Sequence, residues 1–219
     1  MASPDNREDG RSDGNIGKKL PTQNGEALIY NRYMGNTVGS KFSFKTTEDF
    51  YILGLWLADG YWRSSSIGLT SVNPKLISRF IKFLLRVSSD HLIKKRIYEV
   101  KKGDKRRQRA FQAYVNNRPL TRLFMSTKTG DLDIPSQYSL AYLAGRIDGD
   151  GHIDTKHRSG IRIAYSSFDD ASRDQKMFGV TNMSLYHYKA AKTFVLYLKK
   201  HYRDKILNQI KINPIKLAP

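Results

Sequence analysis

The sequence predicts an α+β fold made of two pseudo-symmetric half-domains, each with the element order αββαββα. A nine-residue pattern occurs twice, as ILGLWLADG at residues 52–60 and as LAGRIDGDG at residues 143–151. Each copy has the spacing of small and apolar residues that is typical of a helix, and segments typical of paired strands follow it. The chain of 219 residues, 39% of them hydrophobic, is long enough for two halves that share a core.

The first half-domain is predicted over residues 46–130. Residues 1–45 are rich in Gly, Asn, Asp and Ser, and we expect a flexible or loosely packed N-terminal extension there. Thr46 and Asp49 have the spacing of a capping box, which begins a helix, and Gly60 is a natural terminator for that helix. The inward face is predicted to consist of small and apolar residues: Phe50, Leu53, Gly54, Leu57 and Ala58.

The remaining elements of the first half follow from capping and turn signals. Asn73 and Pro74 are typical of the N-cap and the first position of a helix. Gly103 and Asp104 are typical of a turn between two strands. We therefore predict, in chain order, a strand pair at 61–72, a helix from residue 74, a hairpin with strands at 92–101 and 107–115, and a short helix at 118–125.

The second half-domain is predicted over residues 131–219. Ser136 is the expected cap of a helix that runs through Gly149 and stops at Gly151. Between residues 168 and 182 no clear pattern is visible, and we expect this half to be shortened there. The other predictions are a hairpin at 152–155 and 160–167, a strand at 183–188, and a helix at 192–202 with Phe194, Val195 and Leu198 inward.

Charge and composition restrict the class of partner and the compartment. The formal net charge is +18 and the pI is about 10, so we expect a polyanion, nucleic acid above all, as partner. Cysteine is absent, which excludes a disulfide scaffold, a thiolate zinc site and a cysteine nucleophile. Because neither a membrane-length apolar run nor an apolar signal core is found, we expect an intracellular protein without membrane association. Cytoplasm, nucleoid and organelle matrix are not distinguishable.

Each copy of the pattern ends in an aspartate followed by glycine, Asp59 and Asp150. A carboxylate at a helix C-terminus meets the negative end of the helix dipole, which disfavours it by about 0.3–1 kcal/mol. Gly54, Ala144 and Gly145 would let the two helices approach closely, which would bring these like charges together. Two such aspartates therefore indicate that a cation offsets the repulsion. The alternative is that each aspartate only caps the turn that follows.

The two nonapeptides resemble those of the LAGLIDADG homing endonuclease family in its single-chain, two-motif form. Residues 142–151 are nearly the family consensus, whereas the first copy has Leu57 in place of an acidic residue and a bulky Trp56. The resemblance implies saddle-shaped antiparallel sheets that are packed through the two motif helices, with their concave sides toward DNA. It also implies that Asp59 and Asp150 are catalytic residues that bind Mg²⁺, for which Mn²⁺ would substitute.

The implied function is that of a site-specific DNA endonuclease of the intron type. Such an enzyme recognises a long duplex target and makes a double-strand break by Mg²⁺-dependent phosphodiester hydrolysis, and we expect it to act as a monomer with internal pseudo-two-fold symmetry. The alternative is a non-catalytic RNA maturase or DNA-binding regulator on the same scaffold, so intron RNA is a further candidate partner.

The resemblance also implies a lysine near each metal centre and a polar side chain that positions water. The lysines that match best are Lys128 and Lys205, which could polarise water or stabilise the charge that develops on phosphorus. The family often has an amide at the water-positioning place, where this chain has Ser71 and either Ser166 or Ser167. For both lysines the alternative is a solvated surface charge.

Basic residues with interleaved glutamines crowd the predicted hairpin of the first half. A two-stranded ribbon fits the major groove, where Arg pairs with guanine and Gln with adenine. The alternative is a solvated edge that prevents strand-edge aggregation. The sequence does not indicate which face of the hairpin meets DNA. The predicted DNA-binding residues of the two halves are Lys94, Arg96, Lys105, Arg106, Arg107, Arg109, Gln112, Lys156, Arg158 and Arg162.

Overall fold

The computed structural model describes residues 42–99, 108–130, 133–153, 160–180, 184–209 and 214–216. The predicted extension therefore lies outside the described residues except for 42–45. Within the described ranges the order αββαββα occurs twice, which confirms the predicted fold class. None of the described helices combines the length and the apolar character that crossing a membrane requires.

The first repeat begins with the helix that carries the first nonapeptide. Its elements are α1 (Thr47–Asp59), β1 (Gly60–Arg63), β2 (Ser66–Ser71), α2 (Pro74–Val87), β3 (Lys94–Tyr98), β4 (Ala110–Asn116) and α3 (Arg118–Lys128). The second repeat consists of α4 (Ser139–Asp150), β5 (Gly151–Ile153), β6 (Ile161–Tyr165), α5 (Phe168–Met177), β7 (Leu185–Tyr188), β8 (Thr193–Leu198) and α6 (Lys200–Gln209).

Each repeat forms one four-stranded antiparallel sheet with the same strand order. The order is β1-β2-β4-β3 in the first sheet and β5-β6-β8-β7 in the second. Ile67, Leu69 and Ala113 point to a buried face of the first sheet, as Ile163 and Leu196 do in the second. Because side chains alternate along a strand, the other face of each sheet carries the polar set.

Polar side chains begin the helices at the predicted places in the first repeat. Thr46 and Asp49 form the predicted capping box, with the Asp49 amide donating to Thr46 Oγ1 at 3.2 Å. Asn73 accepts from the Lys75 amide at 3.0 Å, with Pro74 in the first turn. These bonds satisfy amides that a helix leaves without an internal partner.

The second motif helix begins later than predicted. A 3₁₀ turn covers Ser136–Tyr138, and α4 begins only at Ser139. Ser136 is therefore not the cap of α4. Its carbonyl accepts from the Ser139 hydroxyl at 2.8 Å, and the tighter turn uses the residues that the sequence pattern assigns to the helix.

The predicted helix at 192–202 is wrong. Residues Thr193–Leu198 form strand β8, and a helix begins only at Lys200. Lys192 has a left-handed backbone with φ of 50°, which separates the preceding 3₁₀ turn from the strand. The run TFVLYL is rich in β-branched and aromatic residues, which favour a strand, and a short apolar run fits either type of element by periodicity alone.

The region without a clear pattern contains helix α5. Its buried residues are Ala171, Asp174 and Gln175, so the helix has no apolar stripe to reveal it. Ser167 caps it by accepting from the Asp170 amide at 3.4 Å. The second half is therefore not shortened in its number of elements.

Candidate active site

Helices α1 and α4 are in direct backbone contact through two glycines. A Cβ built on Gly54 would lie 2.0 Å from the Tyr142 carbonyl oxygen, and one on Gly145 would lie 1.9 Å from that of Tyr51. Both distances are far below van der Waals contact, so no larger residue fits at either place. The contact is reciprocal between equivalent positions of the two copies, as the small inward residues predict.

The same packing brings the C-terminal ends of the two helices together. A Cβ on Gly149 would lie 2.3 Å from the Cβ of Ala58 and 3.6 Å from Asp59 Oδ2. The Asp59 carboxylate of α1 therefore lies beside the residue that precedes Asp150 in α4.

The glycines after the aspartates are required for space and not for a left-handed cap. Gly60 and Gly151 both have extended backbones, with φ of −77° and −78°. A Cβ on Gly60 would come within 2.3 Å of Trp56, and one on Gly151 within 2.5 Å of Ile147. The predicted terminator at Gly60 is correct in position, but its physical reason is the close approach of the preceding turn.

The two carboxylates lie in an environment that disfavours their charge. Burial and the neighbouring Asp150 raise the pKa of Asp59 to about 6, against smaller opposing effects of Lys216 and Arg146. Burial likewise raises the pKa of Asp150, opposed by Arg146 and Lys216. Ionising both groups therefore costs free energy unless positive charge is added nearby.

A divalent cation fits this arrangement. Among the described residues no group of three or more His, Cys, Asp or Glu side chains could hold a metal. The candidate donors at the two helix ends are the carboxylates of Asp59 and Asp150. Mg²⁺ is commonly bound through one or two carboxylates, with water and phosphate oxygens as its other ligands. Asp59 and Asp150 would hold such an ion and lose their mutual repulsion.

Residues near the C-terminus contribute to the site, which the sequence reasoning missed. The buried Asp148 accepts from the Tyr51 hydroxyl at 2.7 Å and from the amides of Ile215 and Lys216, both at 2.7 Å. The Lys216 ammonium donates to the carbonyls of Gly149 at 2.6 Å and Gly151 at 2.8 Å. No sequence signal links residues 148 and 216.

A buried polar network connects α4 with other elements of the second half. Arg146 lies 3.4 Å from Asp174 and over the ring of Tyr165 at 4.5 Å. Asp174 also accepts from the hydroxyls of Tyr142 and Tyr165, each at 3.0 Å. This network holds a guanidinium near the acidic pair, and the sequence reasoning missed it because α5 has no apolar stripe.

The two predicted lysines lie in different surroundings. The Lys128 ammonium lies 4.3 Å from the centre of the Trp62 ring and 5.6 Å from that of Trp56. Burial lowers the pKa of Lys128, and the positive charges of Arg146 and Arg173 act in the same direction.

Lys205 is exposed on α6, with its ammonium 5.7 Å from the centre of the Tyr202 ring. Among the described residues, Lys216 and Arg146 are the cations that lower the pKa values of Asp59 and Asp150. The catalytic roles of Lys128 and Lys205 stay predictions.

The candidate serines have partners of their own or are exposed. Ser71 Oγ accepts from the Asn73 amide at 3.2 Å, just before α2. Ser167 caps α5, and Ser166 is exposed between β6 and that cap. Their role in positioning water stays a prediction.

The register of the first sheet settles which side chains share its open face. Arg96 lies opposite Gln112, which lies opposite Thr70 on the next strand. Gln112 donates to Thr70 Oγ1 at 3.1 Å and accepts from the Tyr98 hydroxyl at 3.0 Å. Lys94 shares this face, with its ammonium 5.9 Å from the centre of the Tyr114 ring.

Arg109 lies away from this set. It pairs with Glu99, and its guanidinium is 5.9 Å from the ring of Phe111, which points toward the buried side. Phe111 pairs with Ile97 in the register, so Phe111 and Gln112 face opposite sides of the sheet.

The second sheet has an open face of similar chemistry. Arg162 lies opposite Tyr197 and His152, and the hydroxyls of Tyr188 and Tyr197 are 2.6 Å apart. The remaining predicted DNA-binding residues, Lys105, Arg106, Arg107, Lys156 and Arg158, lie outside the described residues.

Comparisons with known proteins relate the chain to one family and to one set of solved structures. Residues 47–125 match a family model described as a LAGLIDADG-like domain. No curated protein matches the chain. Solved structures of mesophilic variants of the homing endonuclease I-DmoI share 17% identity, with a TM-score of 0.57 over 79% of this chain and 95% of that chain.

Structures of I-DmoI with bound DNA are similar to the same extent. The complex with DNA and Mn shares 16% identity, with a TM-score of 0.53 over 76% of this chain and 98% of that chain. A variant with its target DNA in the presence of Mg shares 17% identity, with a TM-score of 0.53 over 76% and 97%. At these identities the likeness establishes a common fold.

Proposed function

We propose that the chain is a site-specific DNA endonuclease of the LAGLIDADG family, because residues 47–125 match the model of a LAGLIDADG-like domain. The observation that carries the proposal is the pair of aspartates at the ends of two helices in backbone contact. In this proposal the enzyme recognises a long duplex and makes a double-strand break by metal-dependent phosphodiester hydrolysis. The protein acts as a monomer, since both helices that end in an aspartate belong to the same polypeptide.

The acidic pair supports the metal-dependent part of the proposal. Asp59 and Asp150 would hold Mg²⁺ or Mn²⁺. The bound ion would offset the free-energy cost of ionising both groups, which their raised pKa values reflect. The cation, when bound, supplies an activated water and stabilises the leaving oxygen. The structures of I-DmoI with DNA contain Mn or Ca or were obtained in the presence of Mg, which supports a divalent ion of this kind.

The chain's own residues keep the two carboxylates in position. Gly54 and Gly145 set the separation of the helices, and a larger residue would push the helix ends apart. Arg146 holds a fixed positive charge behind the pair, which also favours an approaching phosphate. Lys128 and Lys205 remain proposed as supporting lysines, with Ser71, Ser166 and Ser167 as candidates to orient water.

The open faces of the two sheets support duplex DNA as the substrate. Lys94, Arg96 and Gln112 on the first sheet and Arg162 on the second offer donors for phosphates and base edges. The net charge of +18 favours binding to a polyanion such as DNA. The half-domain bounds of 46–130 and 131–219 remain part of the proposal.

The test is a cleavage assay that does not require the target to be known. Fragmented genomic DNA, including the intron-less form of candidate host loci, is incubated with the protein and Mg²⁺, and new double-strand ends are mapped by sequencing. We expect one dominant cut site for the wild type. Asp59→Asn and Asp150→Asn should each abolish double-strand cleavage at that site while DNA binding in Ca²⁺ stays within a few fold.

Two outcomes would contradict the proposal. A wild type that binds duplex DNA tightly but never cuts would favour a non-catalytic DNA-binding regulator or an RNA maturase. Full cleavage by the Asp150→Asn variant would show that the acidic pair is not the catalytic centre.

A further inference from the structure

The C-terminal segment Pro214–Lys216 is fastened to the end of helix α4. Asp148 accepts the amides of Ile215 and Lys216, and the Lys216 ammonium donates to the carbonyls of Gly149 and Gly151. Four hydrogen bonds of 2.6–2.8 Å therefore tie a distant part of the chain to the residues that flank Asp150.

This ammonium supplies a charge that the helix itself lacks. The last turn of α4 contains no basic residue, and the same is true of α1. A cation at a helix C-terminus is favourable because the terminal carbonyls carry partial negative charge. Lys216 provides that cation at the junction where the two helix ends meet, and it does so from outside both helices.

The charge of Lys216 also acts on both carboxylates of the candidate metal site. Burial lowers the pKa of Lys216, and the negative charges of Asp59, Asp148 and Asp150 oppose that effect. The residue is partly open to solvent even though its ammonium is turned onto α4. An ion that approaches the carboxylates from solvent therefore meets a positive charge that is already in place.

We propose that Lys216 is a positioning residue of the acidic pair, acting as an internal counter-ion that a divalent cation must compete with. The inference rests on the proposed function, because it assumes that Asp59 and Asp150 hold the cation. Without metal, Lys216 keeps two neighbouring carboxylates in place. With metal, its charge weakens cation affinity, so the site favours ions that arrive together with the negative charge of a phosphate.

The geometry separates the charge of Lys216 from its backbone role. Replacing its side chain removes the bonds to Gly149 and Gly151, but the backbone amides at 215 and 216 still donate to Asp148. Lys216→Met therefore removes the counter-ion while the segment stays attached, and Lys216→Arg retains the charge.

The experiment measures Mn²⁺ binding to the DNA-free full-length protein, with free Mn²⁺ read by electron paramagnetic resonance. We expect Lys216→Met to bind Mn²⁺ more tightly than the wild type, on the order of threefold to tenfold, because a nearby repulsive charge is lost. Lys216→Arg should bind as the wild type does. Lys82→Met removes an exposed lysine on α2 and is the matched control for net charge.

Melting temperatures in EDTA and in Mn²⁺ provide a second readout. A purely structural Lys216 would lower the melting temperature of Lys216→Met equally in both buffers, whereas a counter-ion role predicts a larger gain on adding Mn²⁺ than in the wild type. Unchanged or weaker Mn²⁺ affinity in Lys216→Met would overturn this inference and leave the proposed function standing. If the wild type does not bind Mn²⁺, or if Asp59→Asn does not remove that binding, the proposed metal site itself fails.

Discussion

Asp59 and Asp150 hold matched positions in the two repeats, and the surroundings of both disfavour ionisation. Burial is the main cause for each, and the charge of Asp150 adds to it at Asp59. The residues that compensate, Arg146 and Lys216, come from the second motif helix and from the C-terminal segment. Among the described residues, the compensating charge therefore comes from the second half of the chain.

Asp59 makes the metal-free protein sensitive to pH in a predictable direction. The pKa of Asp59 is about 6 in the folded protein, above its ordinary value of 3.8. The folded state therefore gains its full stability from the protonated carboxyl below about pH 4, and this contribution is lost as the pH rises through about 6. We expect Asp59→Asn to raise the melting temperature in EDTA at pH 7.5 by about 2–4 °C, which corresponds to about 1 kcal/mol after allowance for solvent screening. At pH 4.5 the gain should be much smaller.

Calorimetry of both proteins at the two pH values checks this prediction. Asp204→Asn, at an exposed carboxylate on α6, is the matched control and should leave the melting temperature unchanged at either pH. An equal gain for Asp59→Asn at pH 4.5 and 7.5 would contradict the assigned cause, because the effect would not depend on ionisation.

At the scale of elements, the helix pair α1 and α4 determines the site. The two glycines are placed where each backbone meets a carbonyl of the other helix, so the spacing of the helix ends depends on the absence of two side chains. The polar network of Asp174 and Arg146 then fixes α4 against α5. The helices are positioned by packing, and the carboxylates are positioned by the helices.

Gly145→Ala should both destabilise the fold and impair cleavage. The new methyl group would lie 1.9 Å from the Tyr51 carbonyl oxygen, so the helices must separate, at a cost of about 3 kcal/mol or more. Urea unfolding measures the change. Gly130→Ala is the control, because a Cβ there meets nothing and only its φ of +78° costs about 1 kcal/mol. Equal effects of the two substitutions would contradict the close helix contact.

Strand β3 offers a test of which sheet face binds DNA. Lys94 lies on the open face with Arg96, whereas Lys95 points to the other side and lies 3.9 Å from Asp90. We expect Lys94→Ala to lower the slope of log affinity against log salt by about 1 and Lys95→Ala to leave it nearly unchanged. Fluorescence anisotropy with duplex DNA over a range of salt concentrations measures both slopes. Equal changes in slope for the two variants would contradict DNA binding by the open face.

At the scale of the whole molecule, the two halves share a topology but differ in core chemistry. Around α1 the core is aromatic, with Phe44, Trp56 and Phe83 packed near Phe124. Around α4 a buried ionic network takes that place. What the repeats keep in common is the pair of glycines and the aspartate at each helix end, the features on which the site depends.

Much of this architecture was predictable because the repeats carry local signals. The capping box at Thr46 and the Asn73–Pro74 start each depend on nearby residues, and each is present. Helix α5 has no apolar stripe and strand β8 has an ambiguous apolar run, so periodicity failed for both. The repeat itself could have placed them, since the first half has a helix and a strand at equivalent positions.

The candidate site was predictable only in part. Asp59, Asp150 and the glycines follow from the motif, but the contacts of Lys216 and Asp174 join residues far apart in the chain. Such contacts are set by tertiary packing, and no spacing rule in a single sequence reports them. Sequence position predicts Lys128 and Lys205 as the supporting lysines, whereas the compensating charges come from Arg146 and Lys216.

The most direct test of the central claim is an anomalous difference map of crystals of the protein with a cognate DNA duplex and Mn²⁺. If the acidic pair holds the cation, the map should show Mn²⁺ density in contact with the carboxylates of both Asp59 and Asp150, next to a DNA phosphate. Density bound elsewhere, or carboxylates that face away from the duplex, would contradict the account.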